Sequence, residues 1–308
     1  MSLHPTGVFC AALTPLDREL NPDGGAFVAH CRWLLDEGCT GIAMLGTTGE
    51  ANSFSADERK ALLEAAVAAG IAPDRLLPGT GVAALTETVA LTRHALSLGV
   101  TTVVMLPPFY YKGLSEDGLV ASYSEVVERV GDDRLRVLFY HIPQFTAVPI
   151  PHGVIARLRE RFPATFVGIK DSSGDLANMT AMVERFPGFA VLSGADPLML
   201  PLLRAGGAGA ITATTNLVAR DLRAVFDGWA DPARVADVET AQARVVLYRE
   251  LSNSYAQMPT LKAMTAHRTG QESWRRLRPP LLPLDAASDR DLLGRLPFAS
   301  ALARGADA

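Results

Sequence analysis

Lys170 stands in surroundings unusual for a lysine, within Gly168-Ile169-Lys170-Asp171-Ser172-Ser173-Gly174-Asp175. The apolar run Phe166-Val167-Gly168-Ile169 before it reads as a buried strand, and the Ser-Ser-Gly after it is turn chemistry. Lys170 is therefore expected at the C-terminal end of a strand. Two readings are open. The ammonium reaches water along its own stem with Asp171 as partner, or it is a desolvated amine whose lowered pKa lets it attack a carbonyl and form a Schiff base.

A Schiff-base enzyme also needs a proton shuttle beside the carbonyl and donors for a substrate carboxylate. Gly46-Thr47-Thr48-Gly49-Glu50 can supply the donors. It is a glycine-flanked turn leaving a strand toward a helix, where backbone N–H groups form an anion nest. By itself such a turn is often only a turn. Tyr140 can supply the proton: it is a phenol at a strand end, followed by His141-Ile142-Pro143. A lone strand-end tyrosine is more often a core or rim residue. His141 should point away from Tyr140 on the opposite strand face, which makes it a supporting residue.

The other candidate chemistries find little. The six histidines are scattered with no metal-ligand spacing. No Gly-x-Ser-x-Gly elbow is present, and Ser193-Gly194 reads as a loop lining a mouth. Gly206-Gly207-Ala208-Gly209 precedes a strand and so reads as a helix stop with a tight turn. The three cysteines, Cys10, Cys31 and Cys39, are odd in number and sparse, as in a reduced cytoplasm.

With 308 residues and 48% hydrophobic content, the chain can bury a large core as one α/β barrel. Its net charge is −4 with no basic run, which argues against a nucleic-acid or anionic-membrane surface. No apolar run approaches the roughly 20 residues that span a bilayer. Met1 to Gly7 lacks a basic segment followed by an apolar one, so no signal peptide is expected.

The elements that must position these groups alternate regularly. Strands are expected at Val8–Leu13, Gly41–Leu45, Leu76–Thr80, Thr102–Leu106, Arg136–Tyr140, the segment carrying Lys170, Ala190–Ser193 and Gly209–Thr212. Helices fall between them, one announced by the capping box Ser55-Ala56-Asp57-Glu58. Eight strands alternating with eight helices in roughly 230 residues is the count of an α/β fold of the (β/α)8 TIM-barrel type; a doubly wound sheet is the rival. The barrel is expected over residues 1–231. Residues 232–308 read as a C-terminal helical extension packed on it. In a barrel the strand ends converge on one mouth, here Thr47, Thr48, Tyr110, Tyr111, Tyr140, Lys170, Ser193, Gly194 and Thr212. Tyr140 and Lys170 would lie on neighbouring strands about 5 Å apart. Phe166, Gly168 and Lys170 are expected to share one strand face.

Taken together, Gly46-Thr47-Thr48-Gly49-Glu50, Pro108-Phe109-Tyr110-Tyr111, Tyr140-x-x-Pro143 and Gly168-Ile169-Lys170-Asp171 stand in the order and spacing of one family. The chain resembles the dihydrodipicolinate synthase and N-acetylneuraminate lyase family of pyruvate-dependent class I aldolases, from Val8 through the helical tail. The resemblance implies a TIM barrel in which Lys170 forms a Schiff base with pyruvate or a pyruvoyl group, and no other cofactor and no metal. It makes Tyr140 the general acid/base and Thr47 its proton relay. Tyr110 completes that relay, from within the chain or from a neighbouring subunit, with Tyr111 the alternative if the loop is displaced by one residue. Thr48, with Gly46 and Gly49, would bind the carboxylate, and Ser193, Gly194, Ile211 and Phe145 would contact the rest of the substrate. By analogy it implies a homotetramer.

Departures from the family pattern bear on the substrate. Dihydrodipicolinate synthases carry an arginine after the catalytic tyrosine that grips the carboxylate of aspartate semialdehyde; Phe145 occupies that position here. Loss of such a pairing costs about 2–5 kcal/mol of binding. His141 replaces the usual asparagine, Gly194-Ala195-Asp196 differs from the sugar-binding segment of sialic acid lyases, and Gly49 to Asn52 is closer to 2-keto-3-deoxygluconate aldolases. The expectation is reversible aldol cleavage of a 2-oxo acid into pyruvate and an aldehyde, with a 2-keto-3-deoxy sugar acid or a less polar aldehyde placed ahead of aspartate semialdehyde. Dihydrodipicolinate synthase activity and a dehydratase using the same imine are enzymatic alternatives. A non-catalytic keto-acid-binding protein is the alternative from another class.

Overall fold

The structure is a computed structural model that describes residues 4–297. Seven strands form one parallel sheet: β1 (Gly7–Ala11), β2 (Gly41–Ala43), β3 (Thr102–Met105), β4 (Arg136–His141), β5 (Phe166–Asp171), β6 (Ala190–Ser193) and β7 (Gly209–Thr212). Their order is β2-β1-β7-β6-β5-β4-β3. The expected strand at Leu76–Thr80 is reduced to isolated bridges, Ile42 with Leu76 and Gly79 with Val104. It nevertheless fills the gap between β2 and β3. Leu77 and Gly79 donate to the carbonyls of Ile42 and Met44, both at 2.8 Å, and Val104 donates to the Pro78 carbonyl at 2.9 Å. Pro78 has no N–H to return a bond toward β3, which breaks the regular ladder without opening the barrel. The doubly wound sheet is thereby excluded.

Helices follow the strands: α1 (Gly24–Asp36), α2 (Ala56–Ala68), α3 (Leu85–Ser97), α4 (Glu116–Val130), α5 (Pro143–Thr146), α6 (His152–Arg161), α7 (Leu176–Arg185), α8 (Met199–Arg204) and α9 (Thr215–Gly228). Then come α10 (Val235–Ser252), α11 (Gln257–Thr269) and α12 (Ala286–Gly294), with no strand between them. The capping box at Ser55 is formed: Glu58 N–H donates to the Ser55 hydroxyl, and the Glu58 carboxylate accepts from Ser55 N–H. No helix among the described residues is long and apolar enough to cross a membrane.

Alternation along the strands divides the core. Phe9, Ala11, Ala43, Leu77, Val104, Leu138, Leu192 and Ile211 fill the barrel interior together with Tyr140. Val137, Phe139, Ile169 and Val191 face the helices. On β5 the alternation slips. Val137 pairs with Phe166 and Leu138 with Gly168, so a bulge leaves Val167 between two registers. Val167 therefore points inward, and Phe166 points outward to stack on Phe139 at 4.7 Å. This corrects the expectation that Phe166 shares the face of Lys170.

Gly168 is the residue at which the slip occurs. A Cβ there would meet the Ala190 carbonyl oxygen at 2.4 Å and Leu138 Cδ2 at 2.8 Å. Only a residue without a side chain lets β5 nest between β4 and β6 at this level.

Candidate active site

Two strands in register bring the chemistry together. Tyr140 on β4 pairs with Lys170 on β5, and Lys170 pairs with Leu192 on β6. Both side chains point into the barrel below its mouth, with Tyr140 only 4% and Lys170 only 5% exposed. The Lys170 ammonium nitrogen lies 4.2 Å from the centre of the Tyr140 ring, close enough for the ring face to attract it. The Tyr140 hydroxyl donates to Thr47 Oγ1 at 3.3 Å. Lysine, phenol and threonine hydroxyl therefore form one line across the mouth.

Asp171 takes no part in that line. Strand alternation turns it to the helix side, where it is fully buried. Its carboxylate accepts from Ser173 N–H at 2.8 Å, Ser173 Oγ at 2.6 Å and Asn178 Nδ2 at 2.8 Å. The reading in which Asp171 partners a snorkelling Lys170 is therefore corrected. Asp171 fastens the turn after β5 instead. His141 also faces outward, as its place beside Tyr140 requires. Its Nδ1 accepts from Ile150 N–H at 3.2 Å, and burial lowers its pKa against an opposing pull from Asp171.

The loop after β2 lies between two non-glycine residues in the left-handed region, Leu45 and Glu50, each at φ 57°. Such conformations cost on the order of 1 kcal/mol or more each and persist where surrounding contacts enforce them. Here the contacts are explicit. The Thr14 hydroxyl donates to the Gly49 carbonyl at 2.8 Å, and Ala51 N–H donates to the Gly46 carbonyl at 3.1 Å. The Glu50 carboxylate forms a buried ion pair with Lys262 on α11. Among the described residues no hydrogen bond engages the N–H groups of Thr47 and Thr48. They remain available to an anion.

A cavity of about 240 Å³ opens over these groups, bordered by Thr47, Thr48, Tyr140 and Lys170 at its floor, with Phe145, Gly194 and Ile211 on its sides. Gly46 borders a recess continuous with that floor. Gly49 does not border the cavity: a Cβ there would meet the Ala12 carbonyl at 2.8 Å, so its role is close packing. Ser193 is also off the cavity. It pairs in register with Asp171, is fully buried, and donates from Oγ to the Ala195 carbonyl at 2.8 Å. It shapes the turn that presents Gly194.

Tyr110 and Tyr111 stand apart. Their rings, edge to face at 5.4 Å, are 72% and 71% exposed, and neither borders the cavity. Within one chain Tyr110 makes no hydrogen bond to Thr47 or Tyr140. Lys112 on the same loop donates to the Thr146 carbonyl at 2.8 Å, holding the loop against the helix that carries Phe145.

Several cavity residues were not anticipated from the sequence. Gln144 donates to the Ser172 carbonyl at 2.7 Å across the rim. Arg249, Asn253 and Gln257 reach the cavity from α10 and α11. Arg59 on α2 borders the inner recess, donates to the Gly79 carbonyl at 2.7 Å, and is depressed by burial to about 10. The i, i+4 spacing of Arg249 and Asn253 was a visible signal, but it is shared by every solvated helix face.

Comparison with known proteins accords with this architecture. The chain is 38% identical over 303 residues to an uncharacterized DapA-like lyase of Chloroflexus aurantiacus, covering 96% of this chain and 99% of the relative. Its structure matches that of dihydrodipicolinate synthase from Agrobacterium tumefaciens with a TM-score of 0.85 at 31% identity, covering 96% and 99% of the two chains. It matches YagE of E. coli K12, solved in complex with pyruvate, with a TM-score of 0.85 at 26% identity, covering 93% and 96%. Fold and relatives together define a barrel enzyme of the lyase class. The model of the Dihydrodipicolinate synthetase family matches residues 4–295, and the chain belongs to that family.

Proposed function

We propose that the chain is a Schiff-base aldolase that cleaves a 2-oxo acid reversibly into pyruvate and an aldehyde. The observation that carries this reading is the alignment of Lys170, Tyr140 and Thr47: a buried amine, a phenol against it, and a hydroxyl bonded to the phenol.

In this reading the Lys170 amine attacks C2 of the oxo acid, and Tyr140 delivers the proton that lets the carbinolamine oxygen leave as water. The iminium is the electron sink, so no further cofactor is invoked. Tyr140, with Thr47 behind it, removes the proton of the C4 hydroxyl. The C3–C4 bond breaks, its electrons pass to the iminium, and the aldehyde leaves behind an enamine. Protonation at C3 and hydrolysis release pyruvate. Thr48 and the free N–H groups of its loop hold the pyruvoyl carboxylate. The burial of Lys170 and Tyr140 limits the water that reaches the enamine. The pyruvate complex of YagE supports pyruvate as the common substrate. Tyr110 completes the relay in a neighbouring copy. The exposure of Tyr110 and Tyr111 supports a tetramer in which a second subunit covers these rings.

Dihydrodipicolinate synthase activity is a second reading, favoured by the name of the Agrobacterium relative. Phe145 stands against it, because an apolar ring cannot hold the carboxylate of aspartate semialdehyde. A dehydratase would use the same imine but expel water from the sugar acid.

The test is borohydride reduction in the presence of pyruvate, followed by intact mass and peptide mapping. The expected result is a pyruvate-dependent adduct on Lys170 that is absent in Lys170→Ala. Folded protein with no adduct overturns the reading. An aldehyde screen scored for condensation, with a 2-keto-3-deoxy sugar acid supplied separately and scored for cleavage and for water loss, then separates aldolase, synthase and dehydratase.

A further inference from the structure

We propose that Arg249 reads the far end of the substrate, and that this end is anionic. The inference rests on the aldolase reading and names the class of aldehyde that it uses.

The lining of the cavity over Lys170 has unlike parts. Ile142 and Phe145, at the end of β4 and on α5, make one of them apolar. Another part of the lining is contributed by the last quarter of the chain: Arg249, Asn253 and Gln257. Arg249 lies in the last turn of α10, and Asn253, four residues on, is the residue that caps that helix. Gln257 Nε2 donates to Asn253 Oδ1 at 3.2 Å, which ties the two amides together across the α10–α11 turn. Apart from Lys170 itself, the cavity lining thus holds one basic side chain, Arg249, and no carboxylate.

Arg249 is lightly engaged. Its one side-chain bond among the described residues is from Nη1 to Asp196 Oδ2 at 3.5 Å, the outer limit of a hydrogen bond. That same oxygen already accepts from Thr214 Oγ1 at 3.0 Å. A guanidinium carries five N–H donors in a planar fork that matches a carboxylate bidentately. Most of that fork is therefore uncommitted at the cavity wall. At the other end of the substrate, the Thr47-Thr48 loop takes the first carboxylate and Lys170 takes the C2 carbonyl. A substrate filling the cavity meets a second positive group at its distal end.

The chemistry selects a 2-oxo acid with a second carboxylate at its far end, cleaved to pyruvate and a semialdehyde. This complements the loss of the arginine at position 145. The distal anion is not abandoned but is read from another part of the lining, so a differently placed carboxylate is accepted. The competing structural role for Arg249 is to balance buried Asp196, whose pKa burial raises and Arg249 lowers.

The test is steady-state condensation of pyruvate with two aldehydes of matched shape, succinic semialdehyde and its neutral amide 4-oxobutanamide. The wild type is expected to favour the carboxylate by at least about tenfold in kcat/KM. Arg249→Gln should lower kcat/KM for the carboxylate roughly 10- to 100-fold while changing the amide by less than about threefold. Arg249→Lys, which keeps the charge beside Asp196 but loses the fork, should show an intermediate preference. Equal use of both aldehydes by the wild type overturns the proposal, as does an equal loss for both in Arg249→Gln or refusal of both by an enzyme that traps pyruvate. If Arg249→Gln does not fold, the wild-type preference and the Arg249→Lys shift decide the matter. Absence of a pyruvate adduct on wild-type Lys170 marks instead a failure of the aldolase reading, and this assignment falls with it.

Discussion

The Glu50 carboxylate and the Lys262 ammonium meet with both side chains wholly out of solvent, joining the loop of Thr47 and Thr48 to helix α11. Lys262 Nζ also donates to the Arg276 carbonyl at 2.7 Å, and Arg278 N–H donates to Glu50 Oε2 at 3.3 Å. Burial lowers the Lys262 pKa, and the attraction of Glu50 opposes that shift. Removing one partner leaves a buried charge without its counterion. Lys262→Met should cost about 3–5 kcal/mol in urea unfolding. It should also raise KM for pyruvate more than it lowers kcat, because the loop proposed to hold the carboxylate is loosened. The Glu50→Gln/Lys262→Met double variant should be less destabilised than the sum of the single changes.

Tyr140→Phe keeps the ring against Lys170 and removes the proton. kcat/KM for cleavage should fall by about 10²- to 10⁴-fold, the range for a lost general acid/base. Borohydride should still trap pyruvate on Lys170, more slowly. Activity within threefold of the wild type would remove Tyr140 from the mechanism.

Phe145→Arg restores a guanidinium to the apolar wall of the cavity. Condensation of pyruvate with aspartate semialdehyde should rise by at least about tenfold in kcat/KM. A wild type already proficient with that aldehyde, and unimproved by the change, would return the chain to the dihydrodipicolinate synthase reading.

Gly168→Ala places a methyl group 2.4 Å from the Ala190 carbonyl oxygen. The backbone must give on one side, at about 1–3 kcal/mol. Because Lys170 is two residues along the same strand, the thermal midpoint and the yield of trapped imine should fall together. A variant of undiminished stability would show that the bulge at this level adjusts freely.

His30 supplies a pH dependence. It lies fully inside, with Nε2 at 2.9 Å from Asn216 Oδ1, and burial lowers its pKa from 6.5 to about 4. Asn216 donates through Nδ2 to the carbonyls of Ala11 and Ala213, so its Oδ1 accepts and neutral His30 is the donor. The folded pKa lies below the unfolded one, so the unfolded chain binds the proton first as pH falls. Stability from this group is complete above pH 6.5 and is lost as pH falls toward 4. The loss amounts to roughly 3 kcal/mol. Urea midpoints at pH 7, 5.5 and 4.5 should fall more steeply in the wild type than in His30→Gln, which can still donate to Asn216.

Much of this architecture could be read from residue order, because each decisive signal was local. Ser55 with Glu58 marked a helix start that the structure forms, and the limits of β6 and β7 matched the apolar runs at Ala190–Ser193 and Gly209–Thr212. Adjacency of Tyr140 and Lys170 followed from barrel topology once two neighbouring strands were recognised. Long-range effects were hidden. The outward turn of Phe166 depends on a register shift in the pairing of β4 with β5, and strict alternation predicted the opposite. Asp171 read as a partner for Lys170 because sequence neighbours are close, although a strand sends them to opposite faces. Arg249, Asn253 and Gln257 lie in a segment that looked like plain helix, and only folding carries them to the mouth. Tyr110 was singled out by its motif, yet one chain leaves it facing solvent.

The floor and another part of the cavity lining come from distant stretches of chain. Lys170 and Tyr140 are fixed by the pairing of β4 with β5, whereas Arg249, Asn253 and Gln257 belong to helices outside the sheet. Substitutions in those helices can therefore alter which partner is admitted without disturbing the backbone that carries the amine. The exception is Lys262, which belongs to the same segment and braces the Thr47-Thr48 loop. A lineage in which α10 and α11 diversify around an unchanging Lys262 could change its diet while leaving its bond-breaking machinery intact.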